Sequence, residues 1–396
     1  MATRTARLVH VDLLRGLAVF GILVVNVWGF VYGLSHFRYG VADPPVSLAD
    51  QAAVFLVAAF AEQKFYPIFA FLFGASFALQ GRGVPVHSFV ATQQRRLRWL
   101  LVCGILHGTL LWYGDILTAY ALAGFWLLGC AGRPLRDVLA SLRTLLVVNL
   151  LIAAALLWLT LGVDMPAPAL AAQLADLRVE HASYATGSWT AAATARLHDY
   201  GANLAGLVIF LPRIMLLFLL GVLAVRLGPL VRPARHRRFW RVVGLAALVV
   251  ALPINLWWGM TSVQNMLHPA APPRGYEVAG WLIDLAGPLL GAGYVAAAVL
   301  ARGRVARAAT CALAPVGRMA LTHYLTQSLL LMLLLQGFAL GLGAQLPRAG
   351  LIALCAAIML GQLAWSHWWL ARHPGGPVEA LWRRYARALA TAGPAA

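Results

Sequence analysis

The residues of this chain that could do chemistry lie where charge is costly. Glu62 and Lys64 fall in the middle of an apolar run reaching from about Ala52 to Leu79, and Lys64 is the one lysine among 31 basic residues. A charged side chain at mid-bilayer depth costs roughly 2.5–3.5 kcal/mol on the insertion scale, so both need partners. On an unbroken helix, residues two apart point about 200° away from one another. Partners are therefore expected from neighbouring spans, which offer Asn26, His107, Asp115 and Asp284 at comparable depth.

His107 lies late in one apolar run and Asp115 opens the next after Gly114, so the two face each other across a tight antiparallel hairpin. A carboxylate beside an imidazole fixes its tautomer and raises its basicity, which is what a general base needs. The plain alternative for His107, as for Asn26, is an interhelical hydrogen bond. A second group, Arg15, Arg95, Arg96, Arg98 and Arg318, is expected along the inner face. There, guanidinium forks could hold the phosphates of a donor. Asp12 lies three residues before Arg15, on the same helix face, so a local ion pair is the alternative.

These groups must be positioned by membrane-spanning helices. The 396 residues are 61% hydrophobic and 11% charged, with a mean hydropathy of +0.77, which is not the composition of a soluble domain. Ten largely apolar runs recur, at about 13–34, 52–79, 98–113, 115–131, 143–162, 204–225, 242–262, 279–300, 319–340 and 349–371. The fold class expected is all-α: a single polytopic transmembrane domain over 1–396. Helices one to five fall within about 10–162, an extracytoplasmic amphipathic segment within 163–203, helices six to ten within 204–372, and a basic cytoplasmic tail follows at 373–396. The first run is read as a retained helix rather than a cleaved signal, because Arg15 interrupts it early.

The formal charge of +18 is a topology signal rather than a nucleic-acid footprint. Alternating the ends of the ten runs puts 22 arginines on one face and five on the other, which sets both termini in the cytoplasm. Blocks such as 232–241 would also attract anionic lipid head groups. Cys103, Cys130, Cys311 and Cys355 have no paired spacing, so neither a disulfide nor a metal site is expected. No phosphate-binding loop, nucleophile elbow or zinc-protease motif is present.

Local patterns refine the picture. Phe65, Phe69, Phe73 and Phe77 form an aromatic stripe read chiefly as packing, and Ala70, Gly74 and Ala78 form a small-residue stripe for close helix approach. Pro67 predicts a kink freeing the Gln63 carbonyl. Trp112-Tyr113 reads as an interfacial pair, the segment at 163–203 as a lid, and the tail as a helix lying along the inner surface.

Several stretches together carry a resemblance. They are Asp12-Leu-Leu-Arg15-Gly16 with Asn26, then Lys64-Phe65 through Leu72-Phe73-Gly74, then His107-Gly108 with Gly114-Asp115-Ile-Leu and Tyr120. Val316-Gly-Arg318-Met-Ala-Leu-Thr322 with Tyr324, and Gly376-Pro-Val-Glu379 with Trp382-Arg383, complete the set. The chain resembles the YeiB-like family of bacterial inner-membrane proteins over nearly its whole length. Its Arg15-Gly16 opening and Glu62-Gln-Lys-Phe-Tyr66 are also similar to membrane acyltransferases such as heparan-alpha-glucosaminide acetyltransferase.

That similarity implies acyl transfer from cytoplasmic acyl-CoA to an extracytoplasmic acceptor, a glycan or another small molecule, in the bacterial cytoplasmic membrane. Acyl-CoA would be a co-substrate rather than a tightly bound cofactor. The related O-acetylases carry a histidine where Asn26 stands, so catalysis here would rest on His107 or on His36. In this reading His107, oriented by Asp115, is the base, Lys64 and Asn26 stabilise the oxyanion beside Glu62, and the five arginines hold the donor. The alternative is a transporter using Glu62, Lys64, Asp115 and Asp284 as a proton relay or as substrate counter-ions. The oligomeric state is left open, a homodimer being one option.

Overall fold

In the computed structural model, residues 8–34, 39–41, 46–160, 167–269 and 275–391 are described. The described residues form helices joined by short connections, with no strand among them. In chain order these are α1 (Val9–Tyr32), α2 (Leu48–Phe60), α3 (Phe65–Gln80), α4 (Val86–Leu110), α5 (Leu117–Leu128) and α6 (Leu135–Thr160). They continue with α7 (Ala167–Ala185), α8 (Trp189–Arg226), α9 (Arg237–Ala246), α10 (Leu252–Leu267) and α11 (Tyr276–Leu300). The last four are α12 (Gly303–Arg318), α13 (Ala320–Leu335), α14 (Arg348–Leu370) and α15 (Pro377–Thr391).

Every expected apolar run falls on these helices, that at 52–79 on α2 and α3 and that at 242–262 on α9 and α10. Seven stretches are long and apolar enough to cross a membrane: α1, α2 with α3, α6, α8, α9 with α10, α11 and α14. Helices α5 and α13 are apolar but shorter. Helix α4 is apolar only after its polar first half, which holds Gln93, Gln94, Arg95, Arg96 and Arg98. The chain is an all-α polytopic membrane protein. Helix α6 presents Leu150, Leu151 and Trp158 at 59%, 64% and 76% exposure, a surface suited to lipid rather than water.

Helix α1 runs through the middle of the bundle and touches α3, α12, α13 and α14. Glycines let the backbones meet: a Cβ at Gly16 would strike the Leu313 carbonyl of α12, and one at Gly317 would strike the Asp12 carbonyl of α1. The small-residue stripe of α3 does the same on α8, where Gly74 lies against the Phe218 carbonyl and Gly221 against that of Phe71.

The span holding the buried charges is broken rather than kinked. Helix α2 stops at Phe60, and Gln63 takes a left-handed φ of 63° that a residue with a Cβ rarely adopts. Pro67 lies in the first turn of α3, where its missing N–H costs nothing. The proline thus helps start a second helix instead of bending one. The premise that Glu62 and Lys64 share one helix is therefore replaced by two helix ends meeting inside the bundle. Helix α11 covers the break with Gly287 and Gly291, whose added Cβ atoms would stand 2.9 Å from the Gln63 carbonyl and 2.8 Å from that of Lys64.

Three elements add detail. Residues 189–203 form the first turns of α8, continuous with its span. The stretch Pro315 to Arg318 ends α12, which packs on α1, and α13 runs from Ala320 to Leu335. Trp112 and Tyr113 are buried.

Helix α7 is seated on the end of α1. The Leu34 amide donates to the Glu180 carboxylate, the Tyr184 hydroxyl donates to Asp199 Oδ2 at 2.7 Å, and the His181 ring lies 4.9 Å from that of Tyr32. Burial pushes the His181 pKa below its ordinary 6.5, and the Arg348 guanidinium adds to the effect. Above pH 6.5 the imidazole is neutral whether α7 is docked or not. Below it, the undocked helix takes up a proton that the docked one resists, so docking weakens with acid. The protection factors of α7 amides, corrected for intrinsic exchange, should fall as pH drops below 6.5, and His181→Phe should remove that dependence. Separately, Gly74→Leu should lower the thermal midpoint in detergent, by about 1–3 kcal/mol of overpacking or more.

Candidate functional site

Two chambers lie end to end inside the bundle, walled by α1, α3, α5 and α13. One, of about 250 Å³, lies at the α7 end and is bordered by Asn26, Gln63, Tyr66, Trp112, Tyr113, Asp115 and Asn203. The other, of about 270 Å³, is bordered by Arg15, Ser76, Gln80, Gln93, Arg96, Arg318, Glu379 and Trp382, with an apolar wall that includes Phe69, Phe73 and Phe77. We call them the far and basic chambers. Ile22, Ile116 and Tyr324 border both and so form the septum between them.

The Asp115–His107 pair is built by the hairpin as the spacing suggested. The loop after α4 carries Asp115 to the start of α5, where its carboxylate accepts from the Leu117 and Thr118 amides at 3.1 and 2.8 Å. Those amides belong to the first turn of α5, where backbone N–H groups have no partner within the helix. Asp115 Oδ1 also meets His107 Nδ1 at 2.9 Å, and His107 Nε2 meets Ser328 Oγ at 2.8 Å. A carboxylate acceptor puts the proton on Nδ1. The single Ser328 proton then goes to Nε2 rather than to the Tyr324 carbonyl, which is farther at 3.3 Å.

This chain of acid, imidazole and hydroxyl ties α4, α5 and α13 together. His107 and Ser328 are buried and border neither chamber, and only Asp115 reaches the far one. Ser328 was not anticipated; its place four residues after Tyr324, on the same face of α13, was the signal available.

Glu62 and Lys64 are fully buried, yet their contacts are not those expected. The Glu62 carboxylate accepts from the Tyr39 hydroxyl at 2.5 Å and from Trp258 Nε1 at 3.1 Å. Lys64 Nζ donates to the Ala58 carbonyl at 2.9 Å, in the last turn of α2, where carbonyls lack partners within the helix and the dipole favours a cation. The ammonium borders neither chamber, so it does not reach a reacting carbonyl from this position. Asp284 is likewise separate from this group: it pairs with Arg213 of α8 through two contacts of 3.1 Å. His36 lies outside the described residues.

Of the five arginines, Arg15, Arg96 and Arg318 border the basic chamber, whereas Arg95 and Arg98 do not, and Arg98 is exposed. Arg15 bonds Asp12 at 3.2 Å, as the local spacing suggested, and also reaches the Ser76 hydroxyl. Arg96 donates to Gln80 and lies 4.6 Å over the Trp382 ring. Burial lowers the Arg96 pKa and Arg383 lowers it further, a sign of crowded positive charge.

The tail is fastened to the bundle through Glu379. Glu379 accepts from the Leu321 and Thr322 amides at 2.9 and 3.2 Å and from the Thr322 hydroxyl at 2.5 Å, capping α13 from 57 residues away along the chain.

The far chamber holds groups whose bonding is incomplete. Trp112 Nε1 and Gln63 Oε1 are buried without hydrogen-bond partners, and the Tyr324 hydroxyl makes no bond of good geometry among the described residues. Such buried groups are costly unless something pairs with them.

The fold and the two chambers define a polytopic membrane protein with a divided interior. Over its C-terminal part, residues 224–388, the chain matches the family model described as "Protein of unknown function (DUF418)". It is 30% identical to the uncharacterized protein YxaH of Bacillus subtilis (strain 168), over 94% of this chain and 92% of that one. It is 29% identical to the uncharacterized protein YeiB of Escherichia coli (strain K12), over 98% of each. The chain belongs to this YeiB-like, DUF418 family. No solved structure matches it.

His107→Ala leaves the buried Asp115 carboxylate and the Ser328 hydroxyl without their imidazole partner, a loss of about 1–3 kcal/mol for an unsatisfied buried group, so it should lower the unfolding midpoint. Glu379→Ala removes a cap and should cost about 0.5–2 kcal/mol. Thermal unfolding in detergent reads both.

Proposed function

We propose that the protein is an acyltransferase of the bacterial cytoplasmic membrane, moving an acyl group from a cytoplasmic acyl-CoA-type donor to an acceptor on the opposite side. The observation that carries this reading is the pair of chambers meeting at the septum of Ile22, Ile116 and Tyr324, one lined by arginines and one by uncharged polar groups with the Asp115 carboxylate. The 22 to five asymmetry of arginines assigns the basic chamber to the cytoplasm.

Arg15, Arg96 and Arg318 suit the phosphates of a donor. The far chamber offers the faces of Trp112, Tyr113 and Tyr66 together with the Asn26 and Gln63 amides, a combination suited to a hydroxyl-rich acceptor such as a sugar.

In the step itself, the acceptor oxygen attacks the thioester carbonyl carbon. A C–O bond forms, the C–S bond breaks, and the proton from the acceptor hydroxyl ends on the departing thiol. Asp115, held by His107 and bordering the far chamber, takes up that proton. The Asn26 amide and the Tyr324 hydroxyl are the donors available to the carbonyl oxygen as it gains charge. This assigns to Tyr324 the part that the sequence suggested for Lys64.

The test is thioester turnover by the purified chain in detergent with a sugar acceptor. Wild type should release free thiol, and Asp115→Asn should reduce the rate by about 10²-fold or more. Absence of turnover in wild type, with substrate counterflow in sealed vesicles instead, would overturn the reading in favour of a transporter, which a divided interior also suits.

A further inference from the structure

The aromatic stripe of α3 packs on neighbouring rings, Phe73 stacking on Phe218 at 4.5 Å and Phe77 meeting Phe89 at 4.8 Å, and it also lines a chamber. Phe69, Phe73 and Phe77 sit at intervals of four residues and all border the basic chamber, where Phe69 and Phe73 keep part of their rings uncovered. The uncovered surface faces an interior chamber rather than lipid. Leu97 and Leu100 of α4 continue the same wall. From Phe77 to Phe69 the wall rises about 12 Å along the helix, at 1.5 Å per residue. Its lower end meets the polar ring of Ser76, Gln80, Arg15 and Arg96, and its upper end meets the septum. A small polar acyl group such as acetyl would leave most of this wall against empty space or trapped water, which is unfavourable for apolar surface.

We infer that the basic chamber takes a phosphate-bearing carrier whose acyl group is an unbranched hydrocarbon chain, laid along Phe69, Phe73 and Phe77 with its phosphates on the arginines. This rests on the proposed function for the identity of the carrier as a thioester; the preference for a chain stands on the chamber alone. At about 270 Å³ the chamber has room for roughly nine groups the size of a water or methylene, at ~30 Å³ each. That points to medium chain lengths.

The experiment measures dissociation constants of the full chain in detergent for CoA, acetyl-CoA, a series up to decanoyl-CoA, and a decanoyl lysophosphatidate. Binding should tighten by about fourfold per added methylene until the chamber is full, so that decanoyl-CoA exceeds acetyl-CoA by at least about 100-fold. Phe73→Gln should flatten the chain-length series. Arg96→Gln should weaken every probe by a similar factor. Thermal unfolding establishes that each variant is folded, and the wild-type series is decisive without them.

Equal affinity for acetyl-CoA and decanoyl-CoA, or a chain-length dependence that survives both Phe73→Gln and Leu100→Gln, overturns the inference. Lysophosphatidate binding as tightly as decanoyl-CoA supports the chamber assignment and counts against the thioester as carrier. Turnover without chain-length dependence would leave the proposed function standing and remove this inference; chain-dependent binding without turnover would do the reverse.

Discussion

Everything in the bundle depends on how a helix can end in the middle of a membrane protein. Where α2 stops at Phe60, its last carbonyls lose their helical partners far from water. Lys64 turns its ammonium back onto one of them, the Ala58 carbonyl, so one side chain relieves two costs at once: an unpartnered acceptor and a buried cation. Glu62 is held by Tyr39 and Trp258, which ties the break to the loop after α1 and to α10. With this joint satisfied from within, Gln63 and Tyr66 are left to border the far chamber.

The other charges follow the same economy of short, specific contacts. Asp115 caps α5 and holds His107, Glu379 caps α13, Asp50 Oδ1 accepts the Ala349 amide at the start of α14, and Arg213 pairs with Asp284. Acids accordingly stand at three helix starts, where backbone N–H groups point outward and the dipole favours negative charge. The polar side chains of α13 are likewise spent on α14, with His323 Nε2 against Ser366 Oγ at 2.6 Å and Gln327 donating to Gln362 at 2.8 Å.

Contacts within a hairpin or a few residues were legible from spacing: Asp12 with Arg15, and His107 with Asp115 across a tight turn. So were the ten apolar runs, because hydropathy over a span is a local property. The Glu62–Lys64 region misled because the periodicity argument assumed one helix, and nothing local announces a left-handed Gln63. Partners far apart in the chain, such as Arg213 with Asp284 or Glu379 with Thr322, depend on which helices become neighbours, which periodicity does not encode. The aromatic stripe was visible at its four-residue interval, but whether it faced a neighbour or a void was decided by α4 and α5.

Glu379 and Trp382 have one more consequence, for the order of assembly. Glu379 caps α13 and, with Trp382, borders the basic chamber, yet both emerge from the ribosome after the other helices that form its walls. Until α15 is made, the α13 amides at Leu321 and Thr322 lack their carboxylate. Biogenesis therefore passes through a stage in which the earlier helices are made but the chamber lacks the wall that α15 supplies.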